Sequence, residues 1–324
     1  MKYKLIGNTG IMVSSLCFGT MSFGGDADEV TSAAMFHRCR ETGINFFDCA
    51  DVYNDGTSEE ILGRLISDCR DEVIVTSKVY APTGDDVNAR GANRKHILLS
   101  IEKSLTRLQT DYLDFYFIHR FDDNTPIAET MRTLDDLVKQ GKILYPAASN
   151  FAAWQVAKAL GIAGKESLAR FECIQPMYSL VKRQAEVEIL PLAEAENLGV
   201  IPYSPLGAGI LTGKYGSNHK PESGRLIENQ MYKTRYNAEW MYSTADDFTS
   251  FAHQYGFNPV SLAIAWVASH PAVTAPIIGA RNLDQLEDSL KSMHVEISPD
   301  LRDKISGLSP EPPPATDRND DREK

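Results

Sequence analysis

Several features that mark other protein classes are missing from this chain of 324 residues. Its 5 cysteines are scattered and form no C-x-x-C pair, which argues against a disulfide framework or a zinc site and favours reduced thiols. The longest apolar stretch, Pro259 to Ala280, is interrupted by prolines and polar residues, so it predicts a buried helix and a strand rather than a membrane span. Met1 to Gly10 lack the profile of a secretion signal. We therefore expect no metal site, no membrane insertion and a cytoplasmic location.

Positive charge is also in short supply. The 33 Lys and Arg residues stand against 44 Asp and Glu residues, which gives a formal net charge of -11. Long-range repulsion therefore argues against a nucleic-acid partner or an anionic membrane surface. Hydrophobic residues make up 43% of the chain, enough for a large core. The expected partner is a small molecule, and the sequence leaves the oligomeric state open.

Short apolar runs alternate with longer amphipathic runs along most of the chain. The predicted strands are Leu16–Gly19, Asn45–Asp48, Val73–Lys78, Leu113–His119, Ile143–Ala148, Cys173–Pro176, Val200–Tyr203 and Val273–Ile278. The predicted helices include Glu29–Thr42, Ser58–Ile66, Arg94–Leu108, Pro126–Lys139, Ala152–Leu160, Glu186–Asn197 and Pro259–Ala268. Eight strand–helix units can close into a parallel barrel without sheet edges. The predicted fold class is therefore α/β, a single (β/α)8 TIM barrel.

Three segments lie outside this alternation. Residues 3–14 around Asn8-Thr9-Gly10 predict a β-hairpin that plugs the lower mouth of the barrel. The long stretch between Tyr203 and Ala245, after strand 7, predicts a loop over the upper face. The tail from Ser309 is rich in proline and then in charge, which is typical of disorder. We thus assign residues 1–308 to the barrel and residues 309–324 to a disordered tail.

Four polar residues are predicted to meet at one mouth of the barrel. Asp48, Lys78 and His119 each end a different predicted strand, and Tyr53 lies in the loop that follows Asp48. Taken singly, each has a structural explanation: a helix cap, a solvated charge, a core hydrogen bond or simple packing. Their combination is more informative, because the four side chains complement one another chemically.

A tyrosine hydroxyl has an ordinary pKa of about 10 and is a poor proton donor at neutral pH. A neighbouring Lys78 ammonium would stabilise the Tyr53 phenolate and lower that pKa. Asp48 would hold Lys78 through a charge-assisted hydrogen bond, and His119 would orient a carbonyl oxygen or assist proton movement. The set predicts proton transfer to a carbonyl group.

At these residues the sequence resembles the aldo-keto reductase family, in its longer-chain branch of bacterial and channel-β-subunit-like proteins. The resemblance spans nearly the whole chain and preserves the order of the four residues. It rests on Phe47-Asp48-Cys49-Ala50-Asp51-Val52-Tyr53, Ser58-Glu59-Glu60-Ile61-Leu62-Gly63, Ser77-Lys78 and Tyr116-Phe117-Ile118-His119. It implies an NADP(H)-dependent enzyme that reduces an aldehyde or ketone to an alcohol by hydride transfer. Tyr53 would then be the acid in reduction and the base in alcohol oxidation.

The family binds NADP(H) across the barrel without a Rossmann domain, which agrees with the lack of a G-x-G-x-x-G motif after an early strand here. The resemblance implies nicotinamide contacts from Gly19, Thr20, Met21, Asp48, Ser149, Asn150, Gln175 and Tyr203. It implies pyrophosphate contacts from Ser204, Pro205, Leu206, Gly209, Leu211 and Lys214. It implies adenosine contacts from Ile278, Gly279, Ala280, Arg281, Gln285 and Asp288. Arg281 favours NADP over NAD, because its guanidinium suits a 2′-phosphate.

The sequence departs from the family pattern in places. Pro146-Ala147-Ala148 places a proline in a central strand, which predicts a local irregularity there. Asp288-Ser289 replaces the usual Glu-Asn beside the adenine. Substrate specificity is expected to reside in loops with little pattern, namely Phe23-Gly24-Gly25, Tyr80–Asn93, Arg120–Asp123 and the region of Tyr232, Tyr236 and Trp240.

Two other functions remain open at this point. Channel β subunits keep the barrel and the cofactor, so the chain also fits a cofactor-binding regulatory or redox-sensing subunit with little turnover. A phosphate-binding barrel enzyme of another chemistry would explain the segment around Gly279, but it would give the four polar residues no role.

Overall fold

A computed structural model describes residues 1–316, in which strands and helices alternate around a central sheet. The chain opens with an antiparallel hairpin of β1 (Tyr3–Leu5) and β2 (Met12–Ser14). Eight parallel strands follow: β3 (Cys17–Gly19), β4 (Phe46–Asp48), β5 (Ile74–Val79), β6 (Leu113–Ile118), β7 (Ile143–Ser149), β8 (Cys173–Gln175), β9 (Gly199–Val200) and β10 (Ile277–Ile278). They pair in chain order, and β10 pairs with β3.

Helices connect and flank the strands. They are α1 (Glu29–Glu41), α2 (Thr57–Ile66), α3 (Arg94–Leu108), α4 (Ile127–Lys139), α5 (Ala153–Glu166), α6 (Ile189–Ala195), α7 (Arg225–Glu228), α8 (Gln230–Arg235), α9 (Glu239–Gln254), α10 (Pro259–Ala268), α11 (Leu283–Leu290) and α12 (Pro299–Ser306). Polar caps fix several starts: Asp28 accepts from the Thr31 N–H, and Asn93 accepts from the His96 N–H. Short 3-10 helices lie at Tyr53–Gly56, Arg70–Glu72, Gln184–Glu186, Gly207–Thr212 and Lys291–His294.

Backbone hydrogen bonds join the two ends of the eight-stranded sheet. The N–H groups of Thr274 and Ala275 donate to the Val200 carbonyl at 2.9 and 3.3 Å, and the Ile277 N–H donates to the Pro202 carbonyl at 2.9 Å. The sheet therefore closes on itself, which confirms the predicted (β/α)8 barrel. Closure satisfies the polar groups that an open sheet edge would expose.

The hairpin plugs the lower end of the barrel, as predicted. Ile6 and Val13 are fully buried and belong to the same apolar cluster as Phe46, Phe115 and Phe117, which come from the barrel strands. Gly7 lies against the Glu172 carbonyl and the Gly199 N–H, where β8 and β9 begin. This leaves the opposite end, where the strands terminate, for a site.

The structure differs from the sequence-based prediction in two regions. The stretch between Tyr203 and Ala245 is not one loop, because α7, α8 and the first turns of α9 lie within it. Pro146 lies in regular β7, opposite Tyr116 in an unbroken register, so the predicted irregularity is wrong. The Pro146 carbonyl still accepts from the Glu172 N–H at 3.0 Å.

Residues 309–316 form neither helix nor strand, and residues 317–324 of the predicted tail lie outside the described residues. Within residues 1–316, no helix has both the length and the hydropathy to cross a membrane. All five cysteines are free thiols, and Cys17, Cys39, Cys49 and Cys173 are buried.

Candidate active site

A buried ion pair forms the floor of the upper mouth. Lys78, in β5, is completely buried, and its Nζ donates to Asp48 Oδ2 at 2.6 Å and to the Cys49 carbonyl at 2.6 Å. Asp48, the last residue of β4, also accepts from Thr76 Oγ1 and Gln175 Nε2, both at 2.8 Å. Burial alone would lower the pKa of Lys78, but Asp48, Tyr53 and Cys49 together outweigh burial and raise that pKa. Lys78 is therefore a fixed ammonium.

Tyr53 stands directly above this pair. Lys78 Nζ donates to the Tyr53 hydroxyl at 3.4 Å and lies 5.0 Å from the ring centroid. The next two residues, Asn54 and Asp55, have φ of 48° and 54°, a left-handed conformation that turns the chain sharply. The Asn54 side chain donates to the Phe23 carbonyl at 2.7 Å, which holds this turn against the loop after β3.

Burial raises the pKa of Tyr53 to about 12, and the Lys78 charge opposes this rise. Lys78 acts to lower the pKa of Tyr53, as expected, but its effect is smaller than that of burial. The prediction of a net lowering is therefore wrong for this structure. Tyr53 keeps its proton at neutral pH.

His119 follows β6 and packs edge-on against Tyr53, with ring centroids 6.1 Å apart at an interplanar angle of 79°. Burial, aided by the Lys78 charge, lowers the pKa of His119 to about 3. The imidazole is therefore neutral at physiological pH. The structure thus brings Asp48, Tyr53, Lys78 and His119 together at one mouth, as the sequence predicted.

Polar side chains extend this group along the ends of β7 and β8. Asn150 Nδ2 donates to the His119 carbonyl at 2.9 Å, and Tyr203 donates from its hydroxyl to Asn150 Oδ1 at 2.6 Å. Ser149 Oγ donates to the Gln175 carbonyl at 3.0 Å. These contacts join the Asn150 amide and the Tyr203 ring to the backbone of His119, at the same mouth of the barrel.

A cleft of about 890 Å³ runs from this group across the mouth. Most residues predicted to bind the cofactor line it: Gly19, Met21, Asp48, Ser149, Asn150, Gln175, Tyr203, Ser204, Pro205, Leu206, Gly209, Lys214, Ile278, Gly279, Ala280, Arg281, Gln285 and Asp288. Thr20 and Leu211 lie behind the wall instead. Thr20 is buried and donates to the Asp48 carbonyl at 3.1 Å, and Leu211 is fully buried in the core.

Arg281, the residue predicted to bind a 2′-phosphate, lines the far end of the cleft. Arg281 Nε forms an ion pair with Asp26 Oδ2 at 2.9 Å, which the sequence gave no means to foresee. The Arg281 N–H donates to Gln285 Oε1 at 3.1 Å, and Asn282 caps α11. Asp288, also on the wall, pairs with Lys291 at 2.9 Å.

The loops predicted to set specificity contribute unevenly. Arg120 and Tyr232 line the cleft, whereas Phe23 and Tyr236 are fully buried and Trp240 lies outside it, as does the Tyr80–Asn93 loop. Sequence reasoning missed several lining residues, among them Arg225, Met231 and Arg235. They lie on α7 and α8, in the stretch that had been interpreted as a loop.

Comparison with known proteins agrees with this geometry. Residues 15–309 match the model of the Aldo/keto reductase family. The chain is 34% identical to the uncharacterized oxidoreductase YrpG of Bacillus subtilis, over 96% of this chain and 97% of that protein. It is 35% identical to a probable voltage-gated potassium channel subunit beta of Oryza sativa subsp. japonica, covering 98% and 99%. Norsolorinic acid reductase of Aspergillus flavus is 32% identical, covering 94% and 80%.

The chain therefore belongs to the aldo/keto reductase family. The match over residues 15–309 and the similarity to these proteins make it an oxidoreductase of that family. They confirm the resemblance seen in the sequence.

Proposed function

We propose that this oxidoreductase reduces an aldehyde or a ketone to an alcohol with NADP(H), and that Tyr53 donates the proton to the carbonyl oxygen. The observation that carries the proposal is the buried chain from Asp48 to Lys78 to Tyr53, which opens onto the cleft. A carbonyl in the cleft beside Tyr53 and His119 would have both a proton donor and a second polar partner.

The cleft suits an extended dinucleotide. A Cβ on Gly19 would lie 2.8 Å from the Ile277 side chain, so only glycine keeps this part of the wall open, and a Cβ on Gly279 would meet nothing closer than 3.8 Å. Gln175, Asn150 and the Tyr203 ring would hold the nicotinamide, and cationic Lys214 and Arg281 would hold phosphates. When bound, the reduced nicotinamide supplies the hydride for the carbonyl carbon.

The chain's own residues move the proton. The Tyr53 O–H bond breaks as a new O–H bond forms on the substrate, and Lys78 stabilises the phenolate that remains. Asp48 keeps Lys78 charged and in place. His119, which is neutral, hydrogen-bonds the carbonyl oxygen and orients it toward Tyr53. In alcohol oxidation the same groups act in reverse.

Replacing Tyr53 with Phe tests the proton donor. Tyr53→Phe should lower kcat for aldehyde reduction by about 10²- to 10⁴-fold, the usual contribution of a general acid. NADPH binding, measured by fluorescence titration, should persist because the ring remains. Tyr255→Phe is the matched control, since Tyr255 is exposed at the end of α9 and does not line the cleft. Undiminished turnover in Tyr53→Phe would exclude this mechanism.

Replacing Arg281 with Ala tests the choice of cofactor. Arg281→Ala should weaken NADPH by about tenfold or more, through loss of a charge-assisted contact with the 2′-phosphate, and leave NADH nearly unchanged. Asp26→Asn is the complementary variant: it removes the carboxylate that competes for Arg281 and should strengthen NADPH binding. Titrations with both cofactors measure this, and equal weakening of NADPH and NADH would reject the phosphate role.

A second function is favoured by the rice relative, whose name describes a channel subunit. The chain would then be a cofactor-binding regulatory or redox-sensing subunit with little turnover. A screen of NADPH consumption across aldehydes, ketones and quinones separates the two proposals. Tight NADPH binding with no turnover on any of them would favour the regulatory subunit.

A further inference from the structure

Two arginines at the chemical end of the cleft have no acidic partner. Arg120 immediately follows His119, Arg235 ends α8, and both line the cleft. Across residues 1–316, no carboxylate forms an ion pair with either guanidinium. The protein contacts of Arg235 are a Met231 sulfur at 3.6 Å and the face of Tyr232, 5.5 Å from the ring centroid. Neither contact satisfies the strong N–H donors of a guanidinium.

Both arginines lie at the same end as Tyr53. Burial raises the pKa of Tyr203, and Arg235 is the charge that opposes this rise, so Arg235 is close to that ring. Tyr203 contacts Asn150, and Asn150 contacts the backbone of His119, whose neighbour is Arg120. Arg120 directly follows His119 in the chain, Arg235 acts on the Tyr203 ring, and both side chains line the cleft onto which Tyr53 opens. Arg281 and its partner Asp26 lie at the other end of the cleft.

The cleft wall is positive although the whole chain has a formal net charge of -11. Among the described residues, the carboxylates on the wall are Asp48 and Asp288. Asp48 is neutralised by Lys78 and Asp288 by Lys291. Arg120 and Arg235 therefore set the local potential together with Arg225 and Lys214, which also line the cleft without an ion pair among the described residues. A cleft with low-dielectric walls focuses such a field on an entering ligand.

We propose that the substrate is an aldehyde or ketone that also carries an oxyanion, a carboxylate or a phosphate, which Arg120 and Arg235 bind while the carbonyl group faces Tyr53. This inference rests on the proposed carbonyl reduction. A guanidinium matches the geometry of both anions through paired N–H donors and stays charged at all relevant pH values. Stacking on Tyr232 restrains Arg235 without using those donors.

Three matched aldehydes test the proposal: 4-formylbenzoate, 4-formylphenyl phosphate and the neutral methyl 4-formylbenzoate. With NADPH and the full chain, kcat/KM for at least one anion should exceed that for the ester by about tenfold, mainly through KM. Added salt should shrink this ratio, because Arg120 is exposed. Preference for one of the two anions supports the proposal and identifies the anion.

Arginine variants test whether Arg120 and Arg235 cause the preference for anionic aldehydes. Arg120→Gln and Arg235→Gln should each reduce the ratio of anion to ester by about fivefold to tenfold. Arg90→Gln is the control, since Arg90 is exposed, lies outside the cleft and has no ion pair among the described residues. Equal activity on the ester and both anions overturns the proposal, and so does an unchanged ratio in both cleft variants.

Binding of benzoate separates this proposal from carbonyl reduction itself. If none of the three aldehydes is reduced, the proposed function fails. Calorimetric titration with benzoate, and with benzyl alcohol as the neutral probe, then tests the anion site alone. Benzoate binding that is lost in Arg120→Gln and Arg235→Gln supports the site, and equal weak binding of both probes overturns it.

Discussion

At Tyr53, burial and the neighbouring Lys78 charge act on the same hydroxyl in opposite directions, and burial prevails. The hydroxyl is therefore protonated at neutral pH, and Tyr53 is not a phenolate. His119 shows the opposite shift for the same reason, because burial favours its neutral form. Both groups are held in the protonation states that the proposed carbonyl reduction requires.

The pH dependence follows from these two shifts. Tyr53 stays protonated below its pKa of about 12, and His119 stays neutral above its pKa of about 3. Reduction should therefore show no inflection between pH 6 and 9, whereas alcohol oxidation, which needs the Tyr53 phenolate, should rise steadily with pH. Profiles of kcat/KM in both directions measure this. An inflection of the reduction profile near pH 6.5 would contradict the assignment of a neutral His119.

The four central residues could be predicted because strand ends in a parallel barrel converge, and sequence shows where strands end. The direction of a side chain is harder to predict, since neighbours in a loop share a position in the chain but not an orientation. Thr20 thus turns away from the cleft next to Met21, which lines it. The net pKa of Tyr53 also depended on burial depth, which no local pattern reports.

Helices α2 and α3 pack closely against each other at Gly63. A Cβ on Gly63 would lie 2.5 Å from the Arg107 carbonyl and 2.7 Å from the Leu108 carbonyl carbon. Arg107 also pairs with Glu59 of α2, and Glu59 accepts from Ser77, the residue before Lys78. The contact between the helices therefore supports the strand that carries Lys78.

Replacing Gly63 with Ala should force the two helices apart. We expect Gly63→Ala to lower the free energy of unfolding by about 1–3 kcal/mol, the usual result of overpacking. Gly161, inside α5, has open space around it, so Gly161→Ala should instead raise that energy by about 0.5–1 kcal/mol. Urea denaturation measures both, and a stabilised Gly63→Ala would contradict the close approach.

Sequence patterns located the helices α3 and α10 at both ends, because their apolar residues recur at helical spacing. In the structure Asn93 and Asn258 cap these helices. They missed α9, whose buried residues Met241, Ala245 and Phe248 cross the boundary assigned to the long loop. They also overestimated β9 and β10. Those two strands are short because the bonds that close the barrel come from irregular backbone beside them.

In the molecule as a whole, the hairpin and the candidate site occupy opposite ends of the barrel. Ile6 is fully buried in the inner cluster, whereas its neighbour Leu5 is 59% exposed. Stability contributed by the plug should therefore be separable from the chemistry at the other mouth.

Shortening a buried side chain of the hairpin tests this separation. Ile6→Ala should lower the free energy of unfolding by about 2–5 kcal/mol, the typical cost of such a cavity. Leu5→Ala should change it little. Thermal unfolding measures stability, and kcat well below the melting temperature should be the same in both variants and in the parent chain. Loss of kcat in Ile6→Ala under those conditions would show that the two ends are coupled.

The buried thiols allow transient opening of the barrel to be measured. Burial raises the pKa of Cys49 to about 12, and the pKa values of Cys17 and Cys173 are raised as well. An alkylating reagent added to the native protein thus finds neither access nor thiolate at these positions. The rate at which it labels them measures how often the closed ring opens, and the half-exposed Cys69 serves as the internal reference for reagent activity.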